Sequence, residues 1–267
     1  MKKKLIICFI AILVNTIAFG QVNSTTDTKI ENTTITATDS KITGSFEMNY
    51  LRHYLWRGML FGNNDVAQPE LELNYKDFTL GLSQNFNYLP KNVPEEIYTR
   101  KAFFDEQDVE IRYSKTWGKF SCEFSALAYF YFYQLATPNT AELGNWTGYN
   151  FYKGFSLFTQ NNIDIAKYHG AIYSNNGLLF EHTTKNDFKM EWSVFAGIAN
   201  SKFNAIYTES DKGGLNLVGS HIDITKDLGK YFIKVIGEKN MYTKSEIRQS
   251  TGLNGTGNFG IAAGINF

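Results

Sequence analysis

Apolar and polar residues alternate along most of the chain after residue 42, and the alternation is clearest at the C-terminal end. From Gly257 onward every second residue is apolar, in the series Phe259, Ile261, Ala263, Ile265 and Phe267, while the residues between them are polar or small. A period of two places successive side chains on opposite faces of a β-strand. The segment is therefore predicted to be a strand with one apolar face that ends on an aromatic residue.

The same pattern recurs often enough to predict a chain built of strands. Twelve segments are predicted: 42–57, 70–76, 78–88, 105–114, 120–134, 149–158, 163–168, 172–183, 188–199, 216–226, 230–239 and 257–267. Merging two segments between residues 149 and 183 would give ten. After residue 20 no apolar run approaches the roughly 20 residues of a membrane-spanning helix. Strands with one apolar face can cross a bilayer only as a closed barrel, which satisfies every backbone hydrogen bond.

The connections between these segments alternate in length. Short turns follow every second strand, and longer segments follow most of the others, at 58–65, 89–104, 135–148, 200–215 and 240–256. Outer-membrane barrels have short periplasmic turns and long extracellular loops. The predicted fold class is thus all-β, a single antiparallel transmembrane β-barrel of about twelve strands (alternative ten), with short periplasmic turns and longer extracellular loops.

The two ends of the chain are consistent with export to the outer membrane. Residues 1–20 are predicted to be a signal peptide, because Lys2 to Lys4 precede a ten-residue apolar run and Ala18 and Gly20 suit a cleavage site. Residues 21–42 are predicted to be a disordered periplasmic tail, and 43–267 the barrel. The alternating C-terminal strand resembles the signal by which the barrel-assembly machinery recognises its clients, with Phe259, Ile261, Ala263, Ile265 and Phe267 as the candidate residues.

Composition and charge exclude several classes of function. Removing three lysines with the signal peptide leaves 23 basic and 26 acidic residues, a net charge of about −3, so no nucleic-acid partner is expected. Cys122 would be the only cysteine, which excludes a disulfide framework. The histidines at 53, 169, 182 and 221 form no close pair at ligand spacing. Neither a metal nor a cofactor is expected.

Strand parity gives a set of residues expected to line the lumen. The candidates are Glu47, His53, Arg57, Glu70, Glu72, Lys76, Glu110, Arg112, Glu123, Lys189, Glu191, Lys234 and Glu238, and the same parity adds Asp108, His221 and Asp223. These charges could brace the wall as ion pairs or form an eyelet that selects small polar solutes. Arg57 is expected on the lumen face, either uncompensated or paired with an acid such as Glu70 or Glu72.

A family resemblance rests on the first predicted hairpin. The segment Tyr54-Leu55-Trp56-Arg57-Gly58, followed by Gln68-Pro69, Tyr75 and the strand from Phe78 to Leu82, resembles the opening of the TorF-type family of outer-membrane porins. The similarity covers residues 50–85. It implies a pore-like barrel in the outer membrane and no established reaction.

The function expected from these patterns is that of a porin or small-solute channel without enzymatic activity. Two alternatives remain: a lipid-modifying barrel enzyme, for which Ser174, Asn175, Asn176 and His182 are the weak candidates, and a closed structural or adhesion barrel. The expected partners are outer-membrane lipids, the barrel-assembly machinery and small polar solutes. The sequence leaves the solute and the oligomeric state open.

Overall fold

The barrel closes with twelve antiparallel strands, which confirms the predicted fold class. The computed structural model describes residues 41–62, 64–87, 106–132 and 137–267. The barrel strands are β1 (Thr43–Leu51), β4 (Val66–Tyr75), β5 (Phe78–Asn87), β6 (Glu106–Trp117), β7 (Phe120–Tyr131), β8 (Thr140–Tyr152), β9 (Phe155–Asp164), β10 (Ile172–Thr183), β11 (Phe188–Ala199), β12 (Gly214–Leu228), β13 (Tyr231–Tyr242) and β14 (Gly255–Asn266). Two further strands, β2 (Tyr54–Trp56) and β3 (Met59–Gly62), form a separate hairpin.

The first and last barrel strands form the seam that closes the ring. Strand β14 pairs with β1 from Ser45 opposite Asn266 to Leu51 opposite Gly260. At the end of the seam the amide of Gly44 donates to the carbonyl of Phe267 at 2.8 Å, and the amide of Phe267 donates back at 2.9 Å. Closure leaves each of the twelve described barrel strands paired on both sides, which is the condition for a sheet to lie in lipid.

The outer face of the wall is mostly apolar, as expected of a wall that faces lipid. On β14, the outward residues Phe259 and Ile261 are 68% and 61% exposed. The neighbouring residue Ala262, which faces the lumen, is 6% exposed. The same outward exposure recurs at Ile233 and Val235 of β13. Such residues remain exposed in the isolated chain because their neighbours in the cell are lipid tails.

The connections at the two ends of the barrel differ in length, as predicted. Tight turns such as Lys76-Asp77 lie at the end that holds the N-terminus of β1. At the opposite end, the β11–β12 and β13–β14 connections carry short helices, α1 (Ser201–Tyr207) and α2 (Ser245–Thr251). Among the described residues no helix is long and apolar enough to span a membrane. The predicted loop 89–104 lies outside the described residues.

The predicted boundaries between residues 132 and 171 are wrong, although the total of twelve strands is correct. Residues 140–148 belong to strand β8 and not to the predicted loop 135–148, and the predicted strand 149–158 contains a turn at Lys153-Gly154, where both residues have positive φ. Residues 165–171, which include most of the predicted strand 163–168, connect β9 to β10. The alternation was hard to detect because several outward positions of β8 and β9 carry Asn or Thr instead of apolar residues. The ten-strand alternative is excluded.

The first predicted strand is also too long. Strand β1 ends at Leu51, which pairs with Val66 of β4, so residues 52–65 lie outside the wall. The aromatic segment Tyr54–Trp56, predicted as wall, belongs instead to the β2–β3 hairpin.

Candidate channel lumen

The β2–β3 hairpin folds into the lumen from the extracellular end. Its turn is formed by Arg57 and Gly58, which have φ angles of +52° and +72° between the paired residues Trp56 and Met59. A two-residue turn with positive φ at both positions is of the type that matches strand twist, and it favours glycine at the second position. A Cβ added to Gly58 would lie 2.5 Å from Cδ2 of Leu217, so glycine also permits a close approach to the wall.

The tip of the hairpin is bonded to four strands of the barrel wall, β8, β10, β13 and β14. The Nη2 of Arg57 lies 2.5 Å from Oε2 of Glu142 on β8, and both side chains are almost fully buried. The hydroxyl of Tyr173 on β10 donates to the carbonyl of Arg57 at 3.3 Å. The carbonyl of Gly58 accepts from Tyr242 on β13 at 3.1 Å and from Thr256 Oγ1 on β14 at 2.8 Å. These contacts hold the tip within the barrel.

Aromatic side chains pack the hairpin against helix α1. The ring of Trp56 stacks on Phe203, with centroids 5.8 Å apart, and lies 5.0 Å from that of Tyr207. The guanidinium carbon of Arg57 lies 4.2 Å from the centroid of the Trp56 ring and 5.4 Å from that of Phe203, at the distances of cation–π contacts. Met59, Tyr173 and the α1 residues form one buried apolar cluster. The helix therefore braces the inserted hairpin.

The two helical loops are joined above the barrel. The Nζ of Lys212 lies 3.0 Å from Oε1 of Glu246 at the start of α2, and Lys244 Nζ donates to the carbonyl of Lys212 at 2.7 Å. A hydrogen bond from its own backbone amide, together with those from Lys212 and Ser245, lowers the pKa of Glu246 to about 2. Beneath α2, Ile247 packs on Leu217 and Tyr242. The β11–β12 and β13–β14 loops thus form a structured cover over their side of the extracellular mouth.

Below the hairpin tip the lumen contains a cavity of about 270 Å³. Its upper boundary is formed by Leu55, Trp56, Arg57 and Gly58. The ionisable groups on its wall are mostly acidic, with seven carboxylates against two arginines and one histidine. They are Glu70, Glu72, Asp108, Glu110, Glu191, Asp223 and Glu238, and Arg57, Arg112 and His221. The described cavity is therefore a polar compartment lined mainly by carboxyl groups.

The basic residues of the lumen are each bonded to acids. Arg112 forms ion pairs with Glu72 and, at 3.6 Å, with Glu110. His221 lies 3.0 Å from Asp223 and 3.8 Å from Glu238. Lys234 Nζ lies 2.8 Å from Glu47 Oε1, and both side chains are buried. In the described part of the chain, three cavity carboxylates form no ion pair with a basic residue, namely Glu70, Asp108 and Glu191.

The remaining lumen candidates lie near the barrel ends. Lys76 is in the exposed turn between β4 and β5 with a positive φ, so its predicted place on the lumen wall is wrong. Lys189 is 3.8 Å from Asp227 near the periplasmic turns. Glu123 accepts from Ser114 Oγ at 2.7 Å. His53 follows β1, and its backbone amide donates to Asn258.

Arg57 pairs with Glu142 and not with Glu70 or Glu72, because it lies on the inserted hairpin.

Sequence reasoning missed most of the groups that hold the hairpin. Glu142 falls in the predicted loop 135–148, and the predicted lumen residues do not include Tyr173, Tyr242 or Thr256. A period-two pattern in the sequence could have identified Glu142, because Glu142, Gly144, Trp146 and Gly148 are the inward residues of strand β8.

The residues proposed for an enzyme are not brought together. Ser174 and His182 lie on the same strand, eight residues or about 26 Å apart at the usual rise per residue. The hydroxyl of Ser174 instead donates to Asn161 at 2.7 Å. Within the described ranges no group of three or more His, Cys, Asp or Glu residues is arranged to hold a metal ion.

The closed wall and the polar lumen define an outer-membrane β-barrel with the fold of porins and channels. No protein-family model matches the chain, and no curated protein matches its sequence. Among solved structures, the barrel is similar to the KdgM porin, with a TM-score of 0.50 and 8% identity over 84% of this chain and 99% of that one. It is similar to an outer-membrane channel of Pseudomonas putida F1, with a TM-score of 0.53 and 7% identity over 85% and 96% of the two chains. At these identities the likeness concerns the fold.

Proposed function

We propose that the protein is a small-solute channel whose passage is restricted by the β2–β3 hairpin and whose lumen favours cations. The observation that carries the proposal is the acidic cavity beneath the hairpin tip. Small barrels filled by side chains have no such compartment, whereas barrels that conduct have polar interiors. Carboxylates on the wall of a narrow passage stabilise cations and repel anions.

The unpaired carboxylates support the cation preference. Arg112, His221 and Lys234 are each paired with nearby acids, so Glu70, Asp108 and Glu191 are the cavity carboxyl groups left without a basic partner among the described residues. Membrane-spanning walls carry ionisable residues mainly where water or a solute reaches them. The TorF-type family is the finer assignment that we propose, on the basis of the segment Tyr54–Gly58 that forms the hairpin.

The biogenesis of the barrel is part of the same proposal. Residues 1–20 would be removed as a signal peptide, and residues 21–42 would form a periplasmic tail. The barrel-assembly machinery would recognise the C-terminal strand that ends at Phe267. Small polar cations would be the solutes.

The test is single-channel recording with a hairpin deletion as the paired variant. Because Leu51 and Val66 are directly opposite each other, the residues between them can be replaced by a short Gly-Ser turn. The wild-type protein should show a small, cation-selective conductance in a KCl gradient, and the deletion variant a conductance several-fold larger. If neither protein conducts, although both fold, the closed structural or adhesion barrel becomes the better description.

A further inference from the structure

A patch of polar side chains lies on the outer face of the barrel, where lipid is expected. It consists of two rows across β8, β9 and β10: Asn145, Asn161 and Ser174 in one row, and Thr147, Thr159 and Asn176 in the other. These residues alternate with inward groups such as Trp146, Phe158, Gln160 and Asn175. Asn145 and Asn161 are covered by their neighbours, at 6% and 7% exposure, and the other four are partly exposed. We refer to the six residues as the outer polar patch.

The patch lies within the apolar band and not at its edge. Towards the extracellular end, the outward positions beyond it are Leu143, Ile163 and Ile172. Towards the periplasm they are Tyr149, Leu157 and Leu178, which are 48%, 55% and 41% exposed. Hydrophobic residues therefore frame the patch above and below. By contrast, the outward residues of β1, on the opposite side of the ring, are Phe46, Met48 and Tyr50.

The hydrogen bonds within the patch involve only some of the donors of its side chains. Ser174 donates to Asn161 at 2.7 Å, Asn161 to Asn145 at 3.2 Å and Asn145 to Thr147 at 3.0 Å. Thr159 donates to Asn176 Oδ1 at 2.7 Å. Within the described residues the amide nitrogen of Asn176 and the hydroxyl of Thr147 donate to no group. Lipid tails offer no acceptor, so these donors require a polar partner in the membrane.

We infer that the outer polar patch is the interface with a second copy of this chain in a two-fold dimer. Both copies insert with the same end outward, so their axis lies along the membrane normal and each row meets the same row at its own depth. Such an interface must be complementary to itself. Amides and hydroxyls both donate and accept hydrogen bonds, so a patch made only of these groups meets that requirement, whereas a patch of one charge would not.

The surface beside the patch also suits a close contact. An apolar groove of about 550 Å³ begins at Asn176 and is lined on the outer face by Leu178, Val194, Val218 and Met241, with the smaller Ala196 and Ser220 between them. Apolar side chains around a recess allow a neighbouring wall to pack against it. The groove thus extends the contact area on one flank of the patch.

Crosslinking tests the arrangement directly. In a Cys122→Ala background, Thr159→Cys places a thiol on the central strand of the patch, and Met48→Cys places one on β1, six strands away. Oxidation of outer membranes should convert Thr159→Cys to a species of twice the barrel mass and leave Met48→Cys unchanged. Equal crosslinking of the two variants, none at Thr159→Cys, or a product with another protein would overturn the inference. Heat-modifiable migration on gels verifies folding.

An apolar variant tests the energetics without a thiol. Thr147→Val, Thr159→Val and Asn176→Leu together remove the hydrogen-bonding groups of one row and leave the barrel folded. Sedimentation in density-matched detergent should show that the dimer dissociation constant rises on the order of tenfold or more. Such a rise is expected when several hydrogen bonds between side chains within the membrane are lost. The matched change Met48→Leu should not alter it. A triple variant that dimerises like wild type would contradict the dimer, whether or not the protein conducts.

Discussion

The guanidinium of Arg57 and the carboxylate of Glu142 form a buried ion pair between the inserted hairpin and the barrel wall. Their Nη2 and Oε2 atoms are 2.5 Å apart, and the two side chains are 1% and 3% exposed. Glu142 also accepts from Tyr129 at 3.0 Å and from Asn162 at 2.8 Å. The wall therefore holds one carboxylate oriented to receive the hairpin.

Breaking this pair should release the hairpin. Arg57→Glu places two carboxylates together, and loss of one partner of a buried pair costs about 3–5 kcal/mol. We expect larger or more frequent openings in single-channel records. The double variant Arg57→Glu with Glu142→Arg should return the conductance towards that of wild type. As a control, Glu123→Gln, on β7 and bonded to Ser114, should leave the conductance as it is. An Arg57→Glu record identical to wild type would contradict the restriction by the hairpin.

The three unpaired cavity carboxylates should set the ion selectivity. Replacing Glu70 and Glu191 by Gln and Asp108 by Asn removes the carboxyl groups that have no basic partner among the described residues, without changing side-chain size. The reversal potential in a KCl gradient should then move towards zero, because the lumen would no longer favour potassium over chloride. Asp227→Asn, near the periplasmic turns, is the control. Unchanged selectivity in the triple variant would locate the selective site elsewhere.

The C-terminal residue should affect assembly as well as closure. Phe267 is bonded to Gly44 at the seam, and its ring is 53% exposed on the outer face. Phe267→Ser keeps the backbone hydrogen bonds but removes the aromatic group, so the amount of heat-modifiable protein in outer membranes should fall. Ile233→Ser, an outward position away from the seam, controls for lost lipid contact. Equal amounts of folded Phe267→Ser protein would remove its role as a signal.

Thiol labelling should establish which end faces outward. In a Cys122→Ala background, Cys at Lys212 or Thr251 should react with a membrane-impermeant reagent on intact cells. Cys at Asp77, Gly118, Asn186 or Gly229 should react only after lysis, because these residues lie in the turns at the other end. Ala141 lies within β8 near the extracellular end, and Asn92 is outside the described residues. Labelling of Asn186→Cys on intact cells would reverse the orientation.

The sequence was sufficient for the fold because closure imposes one repeated rule on every strand. Outward residues must suit lipid, so Phe259 or Val235 can be assigned from parity alone. The rule fails where an outward position is polar, as at Asn145 and Asn161, and there the strand boundaries were wrong.

The inserted hairpin could not be predicted from alternation. Tyr54 and Trp56 have the same period as a wall strand, and only the long-range contacts of Arg57 and Gly58 distinguish the two structures. Those contacts join residues up to 198 positions apart in the chain. No local pattern encodes them.

The contacts of Gly58 have a consequence for the order of assembly. The hairpin follows the first strand, yet its carbonyl is bonded to Tyr242 and Thr256, on the last two strands of the barrel. Those bonds can form only when the C-terminal end of the chain has arrived. The bonds from Glu142 and Tyr173 can form earlier, so the hairpin tip becomes fully fixed only at the stage at which the ring closes. Final fixation of the hairpin is therefore a late step of biogenesis.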